Sequence, residues 1–146
     1  DYKFDMKSDF NAYNYLLQHD IKPSVQRLAI INYLYEHRTH PTADEIYAGL
    51  IDQIPTLSKT TVYNTLNLFH QQAAILALTI DDKNVRFDID TSDHAHFKCL
   101  NCEKVFDVPA VLDSVTSVAL EHGFVVTEKH LYLKGYCSSC NESPNK

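Results

Sequence analysis

The stretch SKTTVYNTLNLFHQQAAILALTIDDKNVRFDI, residues 58–89, determines the fold into which the rest of the chain must fit. In its first half Val62, Leu66 and Phe69 recur at i, i+4 and i+7, the spacing of one face of an α-helix. Ser58, just before these residues, is a favourable N-cap. The first half is therefore predicted to be a helix with these three side chains facing inward.

The second half of the stretch has the pattern of a β-hairpin. Two apolar segments, 75–80 and 85–89, flank the polar, turn-forming cluster Asp81-Asp82-Lys83-Asn84. Apolar strands on both sides of such a cluster favour a tight reversal of the chain. The stretch is therefore predicted to be a helix followed by a hairpin.

Three further helices are predicted upstream, where apolar residues also recur at helical spacing. The first covers 8–19, the second begins at the N-cap Ser24 and ends by Pro41, and the third runs from the capping box 42–45 to about Ile51. The side chains expected to face the core are Phe10, Tyr13, Leu16 and Leu17 in the first helix and Val25, Leu28, Ile31, Leu34 and Tyr35 in the second. With the helix after Ser58 the chain has four predicted helices before the hairpin, and three helices followed by a hairpin is the order of a winged helix-turn-helix.

The outer face of the helix after Ser58 has long or hydrogen-bonding side chains and no carboxylate. Such a face suits a helix in the DNA major groove, where phosphates repel acids. The candidate DNA contacts are Lys59, Thr61, Tyr63 and Asn64. An ordinary solvated helix face is the alternative interpretation.

After the hairpin, short alternating segments rich in Val, Ile, Phe and Tyr predict strands. Strands are expected at 96–99 and 105–108, and a long final strand at 125–136. Between them a helix is expected to begin at Pro109 and to end at His122-Gly123. Its inward side chains are expected to be Val111, Leu112, Val115, Val118 and Ala119.

Composition limits the class of protein. The chain has 146 residues, 45% of them hydrophobic, which suffices for packed cores without disulfides. No apolar run approaches the ~20 residues of a membrane span, and the N-terminus lacks the features of a secretory signal, so we expect a cytoplasmic protein. With a net charge of -6, contact with DNA is expected to be local and shape-dependent.

Four cysteines form two Cys-x-x-Cys pairs, and a reducing compartment favours metal binding by such pairs over disulfides. The two-residue gap lets both thiolates of one turn face one ion, and two such turns complete a closed tetrahedral site. One structural Zn²⁺ is therefore predicted, bound by Cys99, Cys102, Cys137 and Cys140. Two disulfides in a secreted domain, or a reactive dithiol, are the alternatives.

A second cluster has only oxygen and nitrogen donors, namely Asp88, Asp93, His94, His96 and Asp107. A His-x-His on a strand places both imidazoles on one face, as one ion requires. Mixed imidazole and carboxylate ligands suit Fe²⁺, Mn²⁺ or Zn²⁺ and bind more exchangeably than four thiolates. Ordinary surface or core histidines, with Asp88 and Asp93 as turn residues, are the alternative interpretation.

These features resemble the ferric uptake regulator (Fur) superfamily over nearly the whole chain. The matching segments are His40-Pro41-Thr42-Ala43-Asp44-Glu45-Ile46-Tyr47, Thr61-Val62-Tyr63-Asn64, Arg86-Phe87-Asp88, Thr91-Ser92-Asp93-His94-Ala95-His96 and the two cysteine pairs. The resemblance implies an α+β fold with an N-terminal winged helix-turn-helix domain at 1–85, a hinge at 86–93 and a small zinc-stabilised α/β dimerisation domain at 94–146. It also implies homodimers that bind palindromic operators in double-stranded DNA.

Within the superfamily the chain is most similar to the peroxide-sensing branch, PerR. Iron-uptake members usually have glutamate at the position of Asp107, whereas aspartate is associated with peroxide sensitivity, and Asn64 also resembles the peroxide-sensing branch. Iron-uptake members often carry a further metal site in a His-His-Asp-His run, which here includes Ala95, so no such site is expected. The regulatory Fe²⁺ or Mn²⁺ ligands of the branch fall on His40, Asp88, His94, His96 and Asp107.

The resemblance implies a metal-dependent transcriptional repressor rather than an enzyme. One ion bound by residues of both domains is expected to favour the dimer geometry that binds the operator. Bound Fe²⁺ is expected to react with hydrogen peroxide so that His40 or His94 is oxidised, whereas Mn²⁺ reacts poorly.

Three alternatives remain open at this point. The first is an iron- or zinc-uptake repressor of the same superfamily without peroxide sensing. The second is a mononuclear metalloenzyme, although no base or nucleophile clusters with the ligands. The third is a zinc-stabilised protein-interaction module, which would not bind an operator in response to metal.

Overall fold

The computed structural model describes residues 10–110 and 112–141 of the chain. These residues form two compact units, and the division falls between Thr91 and Ser92, within the segment 86–93 predicted to be a hinge. The first unit contains α1 (Ala12–Gln18), α2 (Val25–Glu36), α3 (Ala43–Leu50), α4 (Lys59–Gln71), β1 (Leu76–Leu78) and β2 (Arg86–Asp88). The second contains β3 (His94–Cys99), β4 (Val105–Pro109), α5 (Asp113–Glu121), β5 (Tyr132–Gly135) and α6 (Ser138–Asn141).

The helices of the first unit begin at side-chain caps. Ser24 and Ser58 each accept a hydrogen bond from the third residue of the helix that follows. At α3 the predicted capping box is complete, because Thr42 Oγ1 accepts from the Glu45 amide at 3.2 Å and Glu45 Oε1 accepts from the Thr42 amide at 2.9 Å. The first helix begins later than predicted because Asn11 caps it, and residues 8–9 lie outside the described range.

The core of the first unit lies between α2, α3 and α4. Val62, Leu66 and Phe69 are fully buried in it, as predicted. The predicted inward face of α2 is wrong at Val25, which is 75% exposed, because it lies nine residues before the buried Leu34 and hence on the opposite side of the helix.

The buried face of α1 also differs from the prediction. Ala12 and Leu16, one turn apart, are buried, whereas Tyr13 and Leu17 are about half exposed. Each exposed residue follows a buried one and therefore lies about 100° further around the helix. Phe10 precedes the helix and packs against the core from there.

The predicted hairpin is present and is anchored to the start of α3. β1 and β2 pair antiparallel with Ala77 opposite Phe87. The Phe87 amide donates to the Pro41 carbonyl at 3.0 Å, and Arg86 Nη1 donates to the His40 carbonyl at 3.1 Å. These bonds fix β2 and the residues before α3 next to each other.

The second unit is built on a three-stranded sheet of order β4-β3-β5. β3 and β4 are antiparallel, with His96 opposite Asp107. β3 and β5 are parallel, with Cys99 opposite Gly135. β3 is therefore the central strand, and it carries residues of both predicted metal sites.

Two predictions for the second unit are wrong. Pro109 ends β4, paired with His94, instead of opening a helix, and α5 begins at Asp113. The final strand covers only Tyr132–Gly135 of the predicted 125–136, because only this part pairs with β3.

The inward face predicted for α5 is also incorrect. Val115 is 69% exposed and Val118 is 57% exposed, whereas Leu112, just before the helix, is buried. Val111 lies outside the described residues. The helix ends at His122-Gly123 as predicted, where Gly123 has a φ of 76°, a left-handed conformation that suits glycine.

None of the helices in the described residues has the length and hydrophobicity that a membrane span requires.

Candidate metal centres

The four cysteines come together because β3 and β5 are parallel. Cys99 is the last residue of β3, and Cys137 follows β5 by two residues. Strands that run in the same direction end at the same edge of a sheet, so both Cys-x-x-Cys turns lie there. One Sγ atom from each of Cys99, Cys102, Cys137 and Cys140 falls within 4.8 Å of the others.

The geometry of this cluster fits a tetrahedral thiolate site. All four cysteines are free thiols, and Cys102 Sγ lies 3.9 Å from Cys137 Sγ. Sulfurs bound to one Zn²⁺ at about 2.3 Å stand about 3.8 Å apart at the corners of a tetrahedron. The distance thus corresponds to shared metal ligation rather than to a disulfide.

Local hydrogen bonds make the cysteine cluster attractive to a cation. Burial raises the pKa of the Cys99 thiol, but the amides of Cys102, Cys137 and Asn101 outweigh it and bring the pKa to about 6. For Cys102 the Lys104 amide lowers the pKa, and burial and the other three thiols raise it to about 11. A divalent cation relieves this crowding of thiolates, since it binds the deprotonated forms.

His40 and Asp88 form the part of the predicted regulatory ligand set that lies in the first unit. His40 Nε2 is 3.4 Å from Asp88 Oδ2, and both side chains are buried. Asp88 ends β2, and its Oδ1 accepts from the Asp90 amide at 2.9 Å. His40 has a φ of 56°, held by the hydrogen bonds from Arg86 to its carbonyl and from Phe87 to Pro41. The hairpin therefore positions both donors.

His94, His96 and Asp107 form the part that lies in the second unit. The two histidines share one face of β3, and Asp107 is opposite His96 on β4. Their Nε2 atoms are 3.0 Å apart, and each lies 3.3 Å from Asp107 Oδ1. Two imidazole nitrogens and one carboxylate oxygen thus converge on a small region, as the ligands of one ion do.

The tautomer of His94 suits metal binding. Its Nδ1 lies 2.7 Å from the Ser92 carbonyl, which only accepts hydrogen bonds, so Nδ1 is the protonated nitrogen. In the neutral ring the lone pair is then on Nε2, the nitrogen that faces Asp107.

Asp93, the remaining member of the predicted cluster, has a different partner. Its Oδ2 accepts from Lys129 Nζ at 3.1 Å in an ion pair that is partly exposed. An aspartate engaged in this way is a surface residue of the second unit, in line with its interpretation as a turn residue.

The candidate DNA contacts lie along α4. Lys59 is at its start and Tyr63 and Asn64 are exposed on it, whereas the Thr61 hydroxyl is 2.9 Å from Ser58 Oγ and takes part in the cap. One hydrogen bond of this face was not predicted from the sequence pattern. The Tyr63 hydroxyl donates to Asp44 Oδ1 of α3 at 3.2 Å. The face of α4 has no carboxylate of its own, but α3 supplies one.

Comparison with known proteins identifies the family. The model of the ferric uptake regulator family matches residues 18–134. The peroxide operon regulator of Bacillus subtilis is 40% identical over 128 residues, which are 86% of this chain and 88% of that protein. The chain belongs to the ferric uptake regulator family.

Two further similarities agree with this Fur-family membership. The peroxide-responsive repressor PerR of Staphylococcus epidermidis is 38% identical over 128 residues, 86% of this chain and 85% of that protein. The structure of the Helicobacter pylori ferric uptake regulator Fur is similar in fold, with a TM-score of 0.72 at 20% identity, covering 93% of this chain and 97% of that one. The predicted resemblance and the α+β fold are thereby confirmed.

Fur-family membership also decides between two classes of function. Proteins of this family are transcriptional regulators, so the chain is not an enzyme, and the metalloenzyme alternative is set aside. The matched residues 18–134 include all the predicted metal ligands except Cys137 and Cys140, which lie just beyond them.

Proposed function

We propose that this Fur-family chain is a metal-dependent repressor that responds to peroxide through a regulatory Fe²⁺ or Mn²⁺ site. It acts in the cytoplasm as a homodimer on a palindromic operator. Two relatives whose names state a peroxide response support this proposal. Their sequences are 40% and 38% identical to this chain.

The observation that carries the proposal is the convergence of His94, His96 and Asp107. The three donor atoms lie within 3.3 Å of one another, and all are nitrogen or oxygen. His40 and Asp88, paired at 3.4 Å, complete the proposed ligand set of five. Such donors bind Fe²⁺ and Mn²⁺ and leave the ion exchangeable, as a sensor requires.

The four cysteines have a different role in this proposal. Four thiolates saturate a tetrahedral Zn²⁺ and leave no open position, so the ion stabilises the fold and does not react. The zinc is expected to hold the turn after β3 to the turn after β5. The signal is therefore assigned to the nitrogen and oxygen donors alone.

Bound Fe²⁺ supplies the reaction with peroxide that Mn²⁺ does not. The protein contributes the imidazoles of His40 and His94 close to the ion, and these are the expected sites of oxidation. The Ser92 carbonyl orients the His94 ring, so oxidation of that ring removes an aligned donor. Loss of a donor weakens metal binding and with it operator binding.

The test measures DNA binding and mass together. A palindromic duplex is first selected from a random pool by the Mn²⁺-loaded protein, and its affinity is measured with Mn²⁺ and with Fe²⁺, before and after stoichiometric peroxide. Only the Fe²⁺ form is expected to lose affinity, with one oxygen atom added to His40 or His94. Unchanged affinity and unchanged histidine mass of the Fe²⁺ form contradict the proposal.

Asp107→Glu is the variant that distinguishes peroxide sensing from the alternative, an uptake repressor without peroxide sensing. The longer carboxylate keeps an oxygen donor, so metal-dependent DNA binding is expected to remain, while histidine oxidation falls. If the wild type itself shows metal-dependent binding without added oxygen, the uptake-repressor alternative replaces peroxide sensing.

A further inference from the structure

The Tyr63 hydroxyl, on the candidate DNA face of α4, has its hydrogen-bond partner on the neighbouring helix. It donates to Asp44 Oδ1 at 3.2 Å, and Asp44 lies in the first turn of α3. Both side chains are exposed, so this bond lies at the surface and not in the core. It joins a residue predicted to face DNA to a carboxylate outside the predicted contacts.

The direction of this hydrogen bond follows from the chemistry of its partners. An ionised carboxylate only accepts hydrogen bonds, so the single hydroxyl proton of Tyr63 points toward Asp44. Partial burial and the negative charge of Asp44 raise the pKa of Tyr63, so the hydroxyl keeps this proton at neutral pH. The hydroxyl can therefore offer DNA only its lone pairs, which accept.

A second contact between the same two helices involves another of the predicted DNA contacts. Lys59 lies one turn before Tyr63 on α4, and its Nζ is 5.7 Å from the centre of the Tyr47 ring. Tyr47 in turn lies one turn after Asp44 on α3. An ammonium at this distance from an aromatic face is attracted to it. One face of α3 thus orients two side chains of α4 before DNA binds.

The direction of the bond limits the DNA groups that Tyr63 can contact. Phosphate oxygens accept hydrogen bonds, and so do N7 of both purines, guanine O6 and thymine O4. The donors in the major groove are the exocyclic amino groups, N6 of adenine and N4 of cytosine. A hydroxyl that can only accept fits one of these amino groups and does not fit a phosphate.

We propose that Asp44 is a positioning residue that makes the Tyr63 hydroxyl an acceptor for an exocyclic amino group of a base. Asp44 acts through Tyr63 and does not itself contact DNA. This inference rests on the proposed function, since it needs α4 to bind DNA. Without Asp44 the hydroxyl can rotate and donate to a phosphate or to a base acceptor, so its preference for an amino group is lost.

The experiment removes single amino groups from the DNA. It uses the whole chain, loaded with Mn²⁺, and the selected palindrome. Each adenine is replaced in turn by purine and each cytosine by 2-pyrimidinone, which are the same bases without the amino group. At the position that Tyr63 contacts, the wild type is expected to lose about five-fold more affinity than Tyr63→Phe, the effect of one hydrogen bond.

Asp44→Ala tests the role of the carboxylate at that position. Its response to the missing amino group is expected to be as small as that of Tyr63→Phe. The double variant of Asp44→Ala and Tyr63→Phe is expected to respond no differently from Tyr63→Phe alone. This comparison isolates the effect that passes through the hydroxyl, because a purely structural role of Asp44 would not depend on it.

Two further variants serve as controls. Asp52→Ala removes the same charge from an exposed side chain after α3 and is expected to respond as the wild type does. Asp44→Asn keeps an oxygen that can accept from the hydroxyl and is expected to retain part of the response. Thermal unfolding of each variant checks that the first unit is folded.

Three results would overturn the inference. In the first, Asp44→Ala responds to the missing amino group as strongly as the wild type. In the second, Asp44→Ala changes the response of a protein that already carries Tyr63→Phe. In the third, no replacement distinguishes the wild type from Tyr63→Phe. Failure of the proposed function is distinct, because the Mn²⁺-loaded wild type would then not prefer the selected palindrome over a scrambled duplex.

Discussion

Tyr15 links α1 to the segment after α4 through its hydroxyl. The hydroxyl donates to the Ala74 carbonyl at 2.6 Å. Burial and the carboxylate of Asp90 raise the pKa of Tyr15 from 10.0 to about 12. Because the folded state keeps the proton that the unfolded chain releases near pH 10, the stability contributed by Tyr15 is fully present below that pH. It is lost as the pH rises toward 12.

The effect of Tyr15→Phe on the free energy of unfolding is therefore expected to depend on pH. Near pH 8, where the hydroxyl is neutral in the folded and the unfolded chain, the variant lacks the bond to Ala74 and about 1 kcal/mol of unfolding free energy. Near pH 11, about one unit above the pKa of the unfolded chain, the unfolding free energy of the wild type has fallen by about 1.4 kcal/mol relative to that of the variant. One pKa unit corresponds to this energy. Urea titrations of both proteins at the two pH values measure the difference, and a constant wild-type advantage contradicts the assignment.

Single residues could be predicted where the chemistry lies within one segment. His94 and His96 share a face because side chains alternate along a strand, and this follows from their spacing alone. The bond between Tyr63 and Asp44 could not be predicted, because it joins two helices whose packing is set by the core. Pairings between elements depend on tertiary structure that local patterns do not encode.

At the scale of elements, the parallel pairing of β3 and β5 is the feature on which the second unit depends. β5 has only four residues, and β3 is the strand with which it pairs in the described chain. A strand this short has few ladder bonds to hold it. The cysteine cluster at the end of both strands is therefore expected to contribute much of the stability of this pairing.

Cys140→Ser tests this dependence. One thiolate fewer is expected to abolish stable zinc binding, and the amides of β5 are expected to exchange with solvent much faster, while those of α4 stay protected. Metal analysis and hydrogen exchange with mass spectrometry measure both effects. Ser139→Ala, which changes an exposed neighbour on α6, is the control. Unchanged protection of β5 in a zinc-free variant would contradict the prediction.

Elements could be predicted where their ends are encoded locally. The helices that follow Ser24, Thr42 and Ser58 begin as predicted, because a cap acts within one turn. The start of α5 was placed too early because Pro109 suits both a first helical turn and the end of a strand. The pairing of β4 with β3, the strand that precedes it in the sequence, makes Pro109 the end of a strand.

At the scale of the molecule, the second unit exposes a large apolar surface. The exposed side chains lie on α5, in the segment after it and on β5, and they are Val115, Val118, Leu120, Phe124, Val125, Leu131 and Leu133. So much exposed apolar area is unusual for a monomer and marks an interaction surface. The dimer proposed for this Fur-family chain would cover it.

Val118→Asp is expected to convert the dimer to a monomer. A charge in an apolar interface is unpaired and desolvated, which is strongly unfavourable. Sedimentation equilibrium measures the state of association, and operator affinity is expected to fall with it while zinc content is unchanged. Ser117→Asp places the same charge on the neighbouring exposed position of α5 and is the control. A dimeric Val118→Asp protein would exclude this surface.

The two-part organisation of the chain was predictable because the helical and strand periodicities occupy different halves. The exposed face of α5 was not, since an apolar stripe indicates burial without indicating what buries it. Val115 and Val118 were predicted to face the interior of their own unit, but in the single chain they face outward. The sequence pattern therefore does not tell whether the apolar stripe of α5 packs within its own chain or against a second chain.

The position of both candidate metal sites on β3 has a consequence for the order in which a new chain matures. Pairing of β3 with β5 joins His96 to Tyr132, and closing a loop of that length costs roughly 3 kcal/mol of chain entropy. A zinc ion held by the cysteines offsets this cost and fixes the strand that bears His94 and His96. Zinc uptake is thus expected to precede the capture of the regulatory ion, so that a cell short of zinc would make repressor unable to respond to iron or manganese.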